Sequence, residues 1–214
     1  APTGIITADV KGSKPGGTYL ETVGDIIQHI VEDHAGFTYP GDFDTASFTA
    51  LNSANSSTVG VYDRGMTTVA NVLDRLINTI GGFYGFDRDG KFQVGQVSLA
   101  TGSADAEFDK TTIIEITRQA SAVPNYQVRM DYKKNYRVMS ESDFDASITS
   151  AQRDYLVREA DVAIAEDAAV QTPYPNSTAL IVDSLFAGSS AASTEATRLL
   201  TLYKTQRDFY RILV

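Results

Sequence analysis

Thr67-Thr68-Val69-Ala70-Asn71-Val72-Leu73-Asp74-Arg75-Leu76-Ile77-Asn78-Thr79-Ile80-Gly81-Gly82-Phe83-Tyr84-Gly85-Phe86-Asp87-Arg88-Asp89-Gly90-Lys91-Phe92-Gln93-Val94-Gly95-Gln96-Val97 reads as a helix followed by a β-hairpin. Val69, Val72, Leu73, Leu76, Ile77 and Ile80 recur at i, i+3, i+4, i+7, i+8 and i+11, which is one face of a helix. Gly81-Gly82 ends it, because glycine passes through positive φ without steric cost. Phe83 to Phe86 is an aromatic strand and Lys91 to Val97 its partner. Asp89-Gly90 between them is a two-residue hairpin signal, whose dihedrals match the twist of the flanking strands. The helix should bury Leu73, Leu76, Ile77 and Ile80 against Phe92 and Val94, since an amphipathic helix must cover its apolar face.

Upstream of this unit, Gly4 to Val10 is a predicted strand and Gly12 to Gly17 a loop. Thr22 caps a second amphipathic helix, whose face is Val23, Ile26, Ile27, Ile30 and Val31 and whose stop is Gly36. A weaker helix covers Asp44 to Ala54, with Phe48 and Leu51 inward, and Thr58 to Tyr62 reads as a short strand. Downstream, Thr101 to Asp109 is a polar loop and Thr112 to Arg118 a strand. From Tyr126 to Lys133 polar and apolar residues alternate without a fault, the mark of a half-buried strand in an antiparallel sheet. Ser150 to Val157 is a short helix, and Asp161 to Ala165 and Ala179 to Phe186 are strands. Small residues from Gly188 to Ser193 lead into a helix with Ala192, Ala196, Leu199, Leu200 and Tyr203, and Arg207 begins a terminal strand. The expected fold class is α+β, with antiparallel, partly barrel-like sheets, three to four amphipathic helices on them, and more sheet than helix. The expected organisation is one α+β domain over 1–140 and a strand–helix–strand segment over 141–214.

Composition excludes several classes. The 214-residue chain is long enough for a real core, and its net charge of −9 argues against a broad phosphate-binding surface. Lys133-Lys134 is the only adjacent basic pair and reads as a solvated strand end, so no nucleic-acid partner is expected. There is no cysteine, which removes disulfides, thiolate metal sites and cysteine nucleophiles. No apolar run approaches the roughly 20 residues that cross a bilayer, so no membrane insertion is expected. The start at Ala1-Pro2-Thr3 and the strand-like end at Phe209 to Val214 look cut from something larger.

The side chains that carry chemistry do not converge. His29 and His34 are five apart, whereas a zinc pair on one helix face needs i, i+4 spacing, and a buried or C-terminal capping role suits His34 better. Asp87-Arg88-Asp89-Gly90 opens like an EF-hand loop but lacks the third acid and the closing Glu. Gly16-Gly17 and Gly81-Gly82 lack the phosphate-loop lysine, and the second pair follows its helix instead of preceding it. Asp42 with Asp44, and Asp143 with Asp145, are carboxylate pairs in loops and read as surface acid. Asn55-Ser56-Ser57 and Asn176-Ser177-Thr178 match the glycosylation sequon, a frequent chance match. No catalytic, cofactor-binding or metal residue is assigned, and no enzymatic activity is expected.

Several stretches together resemble the central hub proteins of phage tail tips and baseplates. Ile6 to Gly12 resembles the strand and loop that open a hub domain, and Thr22 to Ile27 its first helix. Leu73 to Gly95 resembles the helix and hairpin that follow, and Asn125 to Tyr136 the long strand after it. Glu195 to Tyr203 with Arg207 and Tyr210 resembles the closing helix and strand. The resemblance implies a virion structural protein that forms a trimer at the tail tip and joins the tail tube to fibres or a spike. Two other classes make different demands. A carbohydrate-binding or adhesion module would cluster exposed aromatics on one sheet face, whereas Tyr126, Met130 and Tyr132 share theirs with Val128. A tail-associated hydrolase would need two convergent acids in a cleft, or a metal site.

Overall fold

The computed structural model describes residues 11–63, 67–99, 111–119, 122–145 and 147–213. The expected strand Gly4 to Val10 and polar loop Thr101 to Asp109 lie outside them. In chain order the elements are α1 (Val23–Ala35), α2 (Thr45–Ala54), α3 (Val69–Thr79), β1 (Gly82–Phe86), β2 (Phe92–Gln96), β3 (Glu115–Gln119) and β4 (Gln127–Tyr132). They continue with α4 (Ser150–Leu156), β5 (Asp161–Glu166), β6 (Ala179–Val182), α5 (Ser189–Tyr203) and β7 (Phe209–Leu213). The class is α+β as expected, but among the described residues helix outweighs strand, reversing the predicted balance. Most of the strands run only four or five residues, while α1 and α5 run thirteen and fifteen. No closed barrel forms among them: the sheets have two, two and three strands.

Side-chain caps hold the first three helices, the predicted one at Thr22 among them. Thr22, Asp44 and Thr68 accept from the backbone N–H of Asp25, Ala46 and Asn71, each satisfying a donor the helix itself leaves open. Gly36 takes the left-handed conformation after α1. Leu73, Leu76, Ile77 and Ile80 are buried, with α3 packed on α1 and β1. Phe92 and Val94 share that core, but β2 lies chiefly on α2 instead of α3. Phe43, Phe48 and Phe92 meet there, two of the three ring pairs edge to face, a preferred aromatic geometry. The backbone of 42–44 runs beside β2, with Phe92 N donating to Asp42 O (2.8 Å) and Asp44 N to Phe92 O (2.9 Å). This covers an edge that would otherwise stay open.

The hairpin turn differs from expectation. β1 and β2 pair from Gly82↔Gln96 to Phe86↔Phe92, and Asp87 N donates to Lys91 O (2.9 Å), leaving a three-residue loop. The Asp87 carboxylate accepts from the N–H of both Asp89 and Lys91 at 2.8 Å, which closes the turn one residue earlier than Asp89-Gly90 alone would. Only Gly90 takes positive φ (78°) in that loop, the position of a hairpin bulge.

β4 is the centre of the three-stranded sheet β5-β4-β6, antiparallel to β5 and parallel to β6. The sheet is therefore mixed and not purely antiparallel. Alternation along a strand shows which face is buried and carries no information about a neighbour's direction. Val128, Met130 and Ala163 form the inner face, and α5 lies across it on Ala192, Ala196 and Leu199. The two alanines let helix and sheet approach closely. Both neighbours of β4 come from beyond residue 140, and one hydrophobic cluster runs from Val23 to Leu202. The expected strand at Thr58 to Tyr62 shrinks to a single bridge, Val59↔Phe186, and β6 ends at Val182, short of the predicted Phe186. β4 stops before Lys133, whose φ of 51° breaks the extended run.

Candidate functional site

The residues that the sequence brings to notice are engaged in local structure. His29 Nε2 lies 3.4 Å from Asp33 Oδ2 one turn on, and 3.2 Å from Ser13 Oγ. His34 is exposed in the last turn of α1, so the buried alternative does not hold, and its position beside the helix carbonyls does. Asp42 accepts from Thr38 N, and Asp44 caps α2. Asp143 accepts from Ser140 and Asp145 from Ser147, and these bonds hold both carboxyls below the usual range. Neither pair converges on a cleft. Asn55 Oδ1 accepts from Ser57 N in a local turn. Among the described residues no group of three or more His, Asp or Glu is placed to hold a metal ion. No helix there is long and apolar enough to cross a membrane.

A hollow of roughly 540 Å³ is lined by Asp131, Lys134, Arg158, Glu159, Ala160 and Asp183. Lys134 is not the solvated strand end expected: its Nζ sits 2.7 Å from both carboxylate oxygens of Asp183. Arg158 reaches Asp161 at 3.4 Å. Burial pushes the Asp131 carboxyl up, and the charges of Asp183 and Glu159 push it the same way against the pull of Lys134. The lining holds acids and bases but no hydroxyl, thiol or imidazole. Its chemistry is that of ion pairing, with a residual negative excess around Asp131.

A second polar cluster escaped the sequence reading. Glu195, only 3% exposed, is held by Arg198 Nη2 (2.6 Å) and Nε (2.9 Å) and by Gln96 Nε2 (3.3 Å). Arg198 Nη2 also donates to Ile80 O (2.8 Å), and Gln96 Nε2 to the same carbonyl (3.1 Å). The cluster thus satisfies the C-terminal end of α3 and ties the hairpin to α5. The Glu-x-x-Arg spacing in the last helix was visible, but nothing in it marks the pair as buried.

Among the described residues two surfaces are uncovered. β3 and β7 pair antiparallel from Glu115↔Leu213 to Gln119↔Phe209, and neither strand packs substantially on any other described element. Ile116, Arg118, Tyr210 and Ile212 share one face of this ribbon, and Ile114, 74% exposed, extends it. The other face carries Glu115, Thr117, Arg211 and Leu213. The second surface is the outer face of the β5-β4-β6 sheet, opposite α5. There Ile164, Arg129 and Ile181 stand in one row across the strands, and Ile181 is 71% exposed. Each strand taken singly is ordinary in sequence; only the pairing reveals that apolar positions line up on a face that no described element covers. No family model matches the chain, and no curated protein matches it.

Proposed function

We propose that this chain is a non-enzymatic structural protein of a phage tail tip or baseplate hub, trimeric in the virion and joining the tail tube to the distal receptor-binding parts. The observation that carries an assembly role is the β3–β7 ribbon, with Ile114, Ile116, Tyr210, Ile212 and Leu213 all exposed. A two-stranded ribbon that no other described element covers is marginal in water by itself, and contiguous exposed apolar surface marks a contact site. The likeness of the helix–hairpin unit, the long alternating strand and the closing helix to hub proteins directs the assembly to a phage tail. The hollow at Asp131 is consistent with the non-enzymatic part, since its lining carboxylates and cations are engaged in ion pairs, Lys134 with Asp183 and Arg158 with Asp161.

Electron microscopy of a tailed phage particle carrying this chain tests the proposal. Three copies around the tail axis, between tube and fibres, are expected. Density decorating the outside of the particle would favour an adhesion module instead. Hydrolysis of peptidoglycan or polysaccharide by the purified chain, abolished by changing one acidic residue, would replace the structural role with an enzymatic one.

A further inference from the structure

We infer that residues 133–160 form an arm that swings as a unit against the rest of the chain, latched closed by the Lys134–Asp183 ion pair and the Tyr136 hydroxyl, with the hollow at Asp131 as its hinge crevice. This device does not depend on what the β3–β7 ribbon contacts.

β4 and β5 are antiparallel neighbours, and strands so placed need only about two to five residues between them. Twenty-eight residues, 133–160, lie between Tyr132 and Asp161 instead. They build a small structure of their own. Thr149 and Gln152 form a capping box on α4, and Ser140 and Asp143 form another on the turn before it. Met139 is buried, and Phe144, Ile148, Tyr155, Leu156 and Val157 are half-buried. None of these six belongs to the hydrophobic cluster that the described residues form from Val23 to Leu202. α4 buries no residue fully and packs substantially on no other described element. Asn135 draws the two ends of the arm together. Its N–H donates to Glu159 O (2.8 Å), and its side-chain amide donates to Leu156 O (3.1 Å) and Arg158 O (3.2 Å). Met139 N donates to Leu156 O (2.9 Å) farther along. The order of the arm is internal.

The ties between arm and body are chiefly polar. Lys134 Nζ meets both carboxylate oxygens of Asp183, just after β6, at 2.7 Å. Tyr136 Oη donates to Gly60 O (3.2 Å) and accepts from Tyr62 N (3.3 Å), with the two tyrosine rings 5.4 Å apart. The hollow lies between the two parts: Lys134, Arg158 and Glu159 line it from the arm, Asp131 and Asp183 from the body. Its walls are charged, so no packed apolar seam forms there, and relative motion is what two units joined in this way undergo. Where the chain leaves the sheet, Lys133 takes φ of 51°, which concentrates the bend at one residue. Such a position at the end of an element can absorb a rotation.

The charges across the crevice oppose one another. Lys134 pulls the arm toward Asp183 and Asp131, while Glu159 on the arm repels Asp131 on the body. An ion pair with one partner largely in solvent is a weak tie, and Asp183 is such a partner. The closed position is therefore held by a small difference that salt or a single charge can tip.

The chain has no cysteine, so paired spin labels on the full chain can report the arm. Ala151→Cys on α4 with Ser193→Cys on α5 measures the arm against the body, and Ser53→Cys on α2 with Ser193→Cys measures the body alone; all three positions are exposed. Lys134→Glu with Tyr136→Phe reverses the latch charge and removes the hydroxyl. In that variant at least half of the wild-type distance population of the first pair should move to a second distribution, and the body pair should not change. Adding Asp183→Lys should return most of it, because the ion pair is restored with its signs exchanged. Raising sodium chloride from about 0.1 to 1 M, which cuts the reach of a charge from ~10 Å to ~3 Å, should shift the unaltered latch in the same direction. The amides of Met139 and Val157, bonded within the arm to Leu156 O and Arg153 O, should keep their hydrogen-exchange rates in the opened variant to within about twofold. An unchanged distance distribution in the opened variant overturns the inference. Faster exchange at Met139 and Val157 overturns it as well, since the arm would then melt instead of swinging.

Discussion

Arg198 is the side chain whose loss should be felt most widely for its size. Its guanidinium neutralises Glu195, which is almost fully buried, and donates to the carbonyls of Ile80 and Val97. Arg198→Ala leaves that carboxylate buried without its partner and should lower unfolding stability by about 3–5 kcal/mol in urea titration. Replacing Glu195 and Arg198 together by leucine should cost less than the single change, because no orphaned charge remains. Asp131 gives the opposite sign. Its carboxyl is raised, so the folded state holds the proton more tightly than the unfolded one, and ionisation in the window above the ordinary carboxylate value weakens folding. Stability lent by the protonated form is present at low pH and lost as pH rises through the raised value. Asp131→Asn should therefore melt higher than the wild type at pH 7, with the difference closing below about pH 4, as followed by thermal unfolding across pH.

At the scale of elements, α3 and the hairpin after it test the central packing. Leu76 is fully buried between α3, α1 and β1, and Leu76→Ala should cost about 2–5 kcal/mol by the same titration. The glycine before the hairpin and the one in its turn should separate two effects. Gly81 has φ of 53°, and a Cβ there would lie 2.7 Å from Leu199 Cδ2 and 3.0 Å from Arg198 Nη2. Gly90 has φ of 78° with nothing within 4 Å. Gly90→Ala should show only the backbone penalty of about 1–2 kcal/mol. Gly81→Ala should lose clearly more, since α5 must also move, and equal losses would mean that the helix–hairpin junction does not press on α5.

For the whole molecule, local stability should follow how completely each strand is paired and covered. β4 has neighbours on both edges and α5 on its inner face, whereas among the described elements β3 and β7 have only each other. In hydrogen exchange of the dilute chain, the amides of Val128 and Met130 should be among the slowest, and those of β3 and β7 should exchange far sooner. In concentrated solution or in the particle, protection should appear in β3 and β7, and its absence there would count against the ribbon as an assembly surface.

The sequence by itself determined the elements whose cause is local. The helix from Val69, its stop at Gly81, the cap at Thr22, and the inward Val128 and Met130 follow from periodicity, capping chemistry and the two-residue repeat of a strand. The turn at Asp87 was misread because two adjacent signals competed, and its side chain decided between them. The rest belongs to tertiary structure for one reason: it depends on residues far apart in the chain. The parallel pairing of β4 with β6, the bridge from Val59 to Phe186 and the burial of Glu195 beside Gln96 are contacts between positions dozens of residues apart. No periodicity announces them. The same holds for the exposed ribbon, because a run such as Ile114 to Arg118 reads alike whether a helix covers it or nothing does. Only the folded chain, by placing α5 on one face of its sheet and no other described element on the opposite one, decided which apolar residues became core and which became surface.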